Sequence, residues 1–283
     1  MKKISMIITC FMLVSGLAIP FVSNEAEGYT SHGPIIINSD SDLSDGNYSG
    51  SGTQADPYII EGFDIDAGGG QSCIYIGNTT AYFVLKNNYL HNSSSANLHL
   101  NNVKNGIVYG NNISEGAYRG IFLNNSYNNH IINNNVTHNQ RGIFFDYSNN
   151  NTIEDNLVYN SSSQGILFFG ESDYNEIVGN EIDDNYIGIF MSIWSRGNSC
   201  DNLIHHNNIT NSGDYGIYMG YSSHRNVFHN NTILNSTDGG IYQYQVHNEF
   251  YDNVIENNLD GFQLRNSNWN IIKRNKINNN VED

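Results

Sequence analysis

Cysteine, proline and charge are all scarce in this 283-residue chain, which holds three Cys, three Pro and only 14% charged residues. Each shortage excludes something. Beyond the N-terminal segment only Cys73 and Cys200 remain, so the fold does not depend on a disulfide framework. No window concentrates the Ala, Leu, Glu and Lys that a stable helix needs. After the first apolar run no stretch is long enough to span a bilayer. Lys and Arg total 12 against 28 acids, a net charge of −16, and without a basic patch neither nucleic acid nor an anionic membrane is a natural partner.

What the chain has instead is asparagine, at about one residue in six, a composition shared with polar low-complexity tracts. Yet 39% of residues are apolar and 12% aromatic, too many for a chain that buries no core. At the start, Lys2 and Lys3 precede the apolar run from Ile4 to Val14 and the small residues Gly16 and Ala18. That is the layout of a secretory signal peptide, with cleavage after Ala18 or near Ala26. The expected organisation is a leader over 1–26, a lead-in and cap over 27–56, and a repeat region over 57–283. The mature chain is expected to be secreted or displayed at the cell surface, or periplasmic in a cell with two membranes. Eleven Asn-x-Ser/Thr sequons, among them Asn47, Asn78, Asn112 and Asn208, permit glycosylation there.

Gly-Ile pairs expose the repeat. Gly120, Gly142, Gly165, Gly188, Gly216, Gly240 and Gly261 open successive units spaced 22, 23, 23, 28, 24 and 21 residues apart. Two weaker units start near Cys73 and Asn97. Such a period marks stacked units, none able to bury its apolar face alone. Apolar residues alternate after each Gly (Ile121 and Leu123, Ile143 and Phe145, Ile166 and Phe168), and a period of two over short runs is strand. A column of asparagines runs at near-constant offset: Asn87, Asn111, Asn134, Asn156, Asn180, Asn207, Asn230, Asn253 and Asn275. A second lies five residues earlier: Asn129, Asn151, Asn175, Asn202, Asn248 and Asn270. Asn tolerates the left-handed turn conformation, and stacked amides bond to one another. A leucine-rich repeat shares the period, but Leu is sparse here and a further short strand follows the Asn. The expected fold is all-β: a single-stranded right-handed parallel β-helix of about nine to ten coils, with 21–28 residues per coil.

These repeats resemble the NosD-type, pectate-lyase-like β-helix repeats of secreted and periplasmic proteins. Residues 36–66, IINSDSDLSDGNYSGSGTQADPYIIEGFDID, resemble the segment that leads into the first coil of many archaeal and bacterial surface proteins with such repeats. The resemblance implies the fold and export. It leaves activity open, because lyases, hydrolases, epimerases, copper-system accessories and plain surface proteins share this fold.

Three kinds of site compete. Acids that could work as a catalytic pair are Glu154 with Asp155 and Asp183 with Asp184. The resemblance would make them a lyase or hydrolase of acidic glycans, but the Gly-His-Gly and Arg-Ile-Lys motifs of the hydrolases do not occur, and most Lys and Arg stand singly. Solvated turn acids are the plainer account, and no cofactor is required, although scattered acids could hold calcium. His206, His229 and Asp252 precede the Asn column in three successive coils, and two imidazoles with a carboxylate suit zinc or copper. NosD-type proteins are associated with copper delivery. The third is a stripe at the second position of each unit: Tyr75, His99, Phe122, Phe144, Leu167, Phe190, Tyr218, Tyr242 and Gln263. Its parity places it outside the coil, where an aromatic row marks a contact surface, for polysaccharide or for a surface protein. Trp194 and Arg196, in the 28-residue unit, would extend it. The chain ends at Asp283 directly after a coil without a recognisable cap, the expectation for a fragment, an end-to-end assembly, or an acidic tail serving as a crude cap.

Overall fold

The computed structural model describes residues 28–46, 48–191, 197–220, 223–244 and 247–282. The leader, the Asn47 sequon and the Trp194 and Arg196 segment lie outside them. The described residues form a parallel β-solenoid, with three sheets of 11, 10 and 10 strands running along it. One coil shows the plan. Asn135–Thr137 belongs to the first sheet, Arg141–Asp146 to the second and Thr152–Glu154 to the third. The next coil repeats it in register, with Val136 beside Val158, Ile143 beside Ile166 and Ile153 beside Ile177.

The core is narrow and complete. In this coil Val136, Ile143, Phe145 and Ile153 point inward and are fully buried. Each contributes about 1.5–3 kcal/mol relative to exposure. Short strands suffice because a three-residue strand needs only its middle residue inside. Where the lining is aromatic, rings stack coil on coil, as Phe145 on Phe168 at 4.8 Å and Phe228 on Phe250 at 4.9 Å.

Asparagine closes the corners. Between the third and first sheets a ladder of side-chain amides runs Asn88, Asn111, Asn134, Asn156, Asn180, Asn207, Asn231, Asn253 and Asn275, each Nδ2 donating to the next Oδ1 at 2.9–3.0 Å. The sequence reading placed Asn87 and Asn230 in this column, and here it is corrected by one residue. Both instead adopt φ of about +50°, at 51° and 52°, in the turn position just before the ladder. The same position holds Gly110, Asn133, Asp155, Gly179, His206, Asp252 and Arg274, all with positive φ. The corrected register also restores an inward apolar residue two places after each ladder Asn, namely Leu90 and Ile233. A second ladder links Asn129, Asn151, Asn175, Asn202, Asn226, Asn248 and Asn270.

The lead-in is part of the solenoid. Thr30–Ser31 pairs with Phe63 and Asp64, and Ile35–Ile37 pairs with Ile74 to Ile76. A helix at Asp40–Asp45, N-capped by Ser39, buries Leu43 against the first coil. It is pinned by Asp40, whose carboxylate accepts from the Thr79 hydroxyl, from Thr80 N at 2.9 Å and from Ala81 N at 3.1 Å.

Candidate functional site: the outer face of the second sheet

The second sheet has the longest strands, so it carries the broadest outward face. Register aligns that face into rows along the solenoid. One row holds Ala96, Arg119 and Arg141, continuing through Gln164 and Ile187; the next holds Tyr75, His99, Phe122, Phe144, Leu167, Phe190, Tyr218, Tyr242 and Gln263. Asn101, Asn124, Asp146 and Phe169 form a third.

The aromatic row lies outside the coil, as its parity requires, but its middle is not open. Phe122, Phe144 and Leu167 are only 8%, 4% and 5% exposed. With Ala96 they form a small apolar cluster of their own, edged by Phe169 and Phe190. Arginines cover it. The Arg119 guanidinium stands 3.9 Å from the Tyr118 ring, 4.2 Å from Phe122 and 4.7 Å from Phe144, and Arg141 lies 4.4 Å from Tyr118. Burial, with the repulsion of Arg141 added, lowers the Arg119 pKa to about 10. Burial and the Arg119 charge push His99 down to about 4, so its imidazole is neutral at pH 7.

Farther along, Phe190, Tyr218 and Tyr242 are half-buried and stack within 8° of parallel at 4.9 and 4.7 Å. Parallel rings at this spacing largely cover one another's faces. They offer a ligand edges, whereas a sugar stacked on an aromatic face needs the face. Tyr215 leans on both tyrosines, at 5.6 and 5.2 Å. Gly239 makes room for it, since a Cβ there would meet the Tyr215 ring at 3.0 Å. Beside this stack sit Asp214 and Asp238, one coil apart and linked through backbone. Burial and the Asp238 charge raise the Asp214 carboxyl above its ordinary range.

The acids singled out in the sequence do not converge. Glu154 and Asp155 turn the corner from the third sheet to the first, whereas Asp183 and Asp184 turn the corner from the first to the second. Glu154 accepts from His130 Nε2 at 2.7 Å, and Asp183 accepts from Thr210 Oγ1 and Asn211 Nδ2 at 2.6 and 2.7 Å. Asp155 and Asp184 are positive-φ turn residues.

The histidine ridge is rearranged by the one-residue correction. His206 and Asp252 share the pre-ladder column with Asn230 between them, and His229 ends a strand between His205 and Tyr251. Asp252 forms a bidentate pair with Arg274 at 2.7 and 2.6 Å. The histidines do gather: His205 Nδ1 lies 2.8 Å from His206 Nδ1, and the His205 and His229 rings stack at 4.9 Å. Burial and its two neighbours lower His229 to about 4. Among the described residues, no group of three or more His, Cys, Asp or Glu side chains is arranged to hold a metal ion. Cys73 and Cys200 are both buried, and Cys73 Sγ donates to the His91 carbonyl at 3.1 Å.

Arg119, Arg141, His205, Asp214 and Asp238 escaped the sequence reading. The arginines had a signal, because Arg-Gly-Ile-Phe occurs twice, at 119–122 and 141–144.

Solved structures with the same fold include the Azotobacter vinelandii mannuronan C-5 epimerase AlgE4 A-module (15% identity, TM-score 0.64, covering 76% of this chain and 63% of that one). The periplasmic alginate epimerase AlgG matches at 16% identity and TM-score 0.57, over 78% of this chain and 62% of that one. The enzymatically active domain of bacteriophage CBA120 tailspike protein 2 matches at 12% and 0.63, over 84% and 41%. The chain thus spans less than two thirds of the length of each of these. No curated protein matches the sequence. Residues 190–283 match the right-handed β-helix region model, and residues 29–219 match the model of the periplasmic copper-binding protein NosD. With that match running over more than half its length, the chain belongs to the NosD family of right-handed parallel β-helix proteins.

Proposed function

We propose that this protein is an exported β-helix module that holds an extended polysaccharide along the outer face of its second sheet. The observation that carries the reading is the set of unbroken, in-register rows on that face, from Tyr75 to Gln263. Mostly aromatic side chains, with His99, Leu167 and Gln263 among them, recur there at the coil spacing of about 4.8 Å, a repetition suited to a repeating polymer. Two of the structurally similar proteins are named for epimerisation of mannuronan or alginate, which supports a glycan over a surface protein as the occupant. The leader-like N terminus and the periplasmic family description support export. Contact is made by ring edges, amides and guanidinium groups, and no catalytic step is assigned.

The test is retention of the purified mature chain on a polysaccharide array, with calcium and then with chelator, scoring release of unsaturated or reducing ends. Retention without cleavage, weakened by Tyr218→Ala, is the expected result. Retention unchanged when both Tyr218 and Tyr242 become Ala, or no retention on any glycan, would overturn it. Cleavage lost on Asp183→Asn or Asp184→Asn would make the protein an enzyme.

Copper handling is the second reading, favoured by the family description and by the 2.8 Å approach of two imidazole nitrogens. His205 Nε2 is held by Glu176 at 2.9 Å, so its ligating nitrogen would be Nδ1, which already faces His206 Nδ1. Asp252 is committed to Arg274 and Asn230 stands beside His229. The donor set is two nitrogens, short of the three or four that a tight site uses, and it does not fit a closed copper centre.

A further inference from the structure

Among the described residues, four of the seven Lys and Arg side chains other than Arg119 and Arg141 pair with a carboxylate, and Lys104, Arg265 and Lys273 lie singly against tyrosine rings. Lys86 pairs with Glu61, Arg225 with Asp201, Arg274 with Asp252 and Lys276 with Glu256, all at 2.6–2.9 Å. Arg119 and Arg141 differ. They sit directly opposite one another in register, share the Tyr118 ring, and have no carboxylate within ion-pair distance among the described residues. Like charges directly opposite on a strand pair are destabilising, and 28 acids are available in the chain to relieve them. None of the described ones does so at contact distance; Asp146 acts on Arg119 only through its field.

The donors are unspent as well. Among the described residues the Arg119 side chain makes no hydrogen bond and its Nε is buried without a partner; the Arg141 side chain bonds only through Nε, to Gln164 Oε1 at 3.0 Å, and its Nη1 is buried without a partner. A buried unsatisfied donor costs about 1–3 kcal/mol, and more when charged. Aromatic rings attract a guanidinium, but they do not neutralise it. What relieves two adjacent guanidiniums is an anion, and a carboxylate matches their planar fork.

We propose that Arg119 and Arg141 form a carboxylate subsite, so that the glycan held on this face is an acidic one built of uronate units. The subsite rests on the polysaccharide reading above and gives it a chemical class. Gln164 fixes the plane of Arg141, and the Phe122–Phe144 cluster beneath sets the height of Arg119. Of the other titratable groups on this patch, His99 is neutral at pH 7 and adds no charge.

The test is calorimetric titration of the full mature chain with hexamers of galacturonic acid and of mannuronic acid, and with the same hexamers after reduction of their carboxyls to alcohols. At least one acid hexamer is expected to bind about tenfold tighter than its reduced form. That preference should collapse near 1 M salt, where the screening length is about 3 Å. Arg119→Gln and Arg141→Gln should each erase the preference while the reduced hexamer still binds, and Arg141→Lys should restore part of it. Tyr218→Ala should weaken both forms alike. Thermal melting of each variant separates loss of the subsite from loss of the fold, since a purely structural arginine would lower the melting temperature without changing the acid-to-reduced ratio. Equal binding of acid and reduced forms by the wild type, or a preference that survives in the Arg119→Gln/Arg141→Gln double variant, would overturn the subsite and leave the polysaccharide reading standing. Binding of neither form, with no retention on the array, would overturn both.

Discussion

Asn134 Nδ2 donates to Asn156 Oδ1 at 3.0 Å, and the same oxygen accepts the Asn134 backbone N–H at 2.9 Å. Asn156 in turn donates to Asn180 Oδ1 and to the carbonyl of Ile131. One side chain therefore satisfies buried groups in three coils, and a solenoid this rich in turns needs that at every corner.

Replacing such an amide strands several partners at once. Asn156→Leu is expected to cost at least about 3 kcal/mol, from two or more buried groups left unpaired. Asn88→Ala should behave similarly near the N-terminal end. Asn87→Ala, one residue away, loses only the tolerance of Asn for positive φ and should cost about 1–2 kcal/mol. Urea denaturation of the two Ala variants checks this, and equal costs would contradict the ladder register.

That contrast shows what was legible in the sequence. Ile121, Ile143, Ile166 and Ile189 announce the inner column, because strand period and repeat period agree at those residues. At Asn87-Asn88 and Asn230-Asn231 two asparagines are adjacent, so residue type alone leaves the ladder ambiguous by one place. The apolar residue two places on decides it: buried Leu90 and Ile233 follow Asn88 and Asn231, whereas polar Thr232 follows Asn230. A slip of one place carries His229 into the wrong column. The arginine cover was illegible for another reason. Parity puts Phe122 outside but groups Arg119, three residues earlier, with the inward Ile121 and Leu123, so it does not show that the arginine lies over the Phe122 ring. Asp214 and Asp238 each stand two residues before a unit glycine, so the repeat itself aligns them, and Asp238 N bonds to the Asp214 carbonyl across the coil.

The cap helix should respond to acid. Burial alone would raise the Asp40 carboxyl, but its hydrogen bonds from Thr79, Ala81 and Thr80 outweigh that and hold it below the ordinary value. A depressed carboxyl contributes stability above its unfolded pKa and loses it as pH falls through the folded one. The protection factors of the Asp42 and Leu43 amides, corrected for the intrinsic pH dependence of exchange, should therefore fall on acidification below about pH 4. Asp40→Ala should show fast exchange at every pH, for a loss of about 1–3 kcal/mol. Exchange in Asp40→Ala as slow as in the wild type would contradict the pinning.

Asp238→Asn is expected to stabilise the protein. The Asp214 carboxyl is raised first by burial and then by Asp238. In a group with a raised folded pKa the penalty is present above that pKa and disappears below the unfolded one. The gain should therefore be about 0.2–1 kcal/mol at pH 7 and vanish near pH 3. Melting curves at the two pH values decide it, and a loss of stability at pH 7 would mean that Asp238 is needed as an acceptor for Tyr215.

Copper uptake should follow the two-nitrogen geometry. Tight sites of this kind use three or four protein ligands, whereas His205 and His206 alone bring donors within 2.8 Å. Equilibrium dialysis with Cu(II) at neutral pH should show weak binding that His205→Ala or His206→Ala abolishes. Asp252→Ala should leave it intact, since that carboxylate serves Arg274, and an exposed ion pair is worth about 0–1 kcal/mol. Loss of binding in Asp252→Ala would show that metal draws the ridge into an arrangement in which the carboxylate leaves Arg274, and would restore the three-donor site.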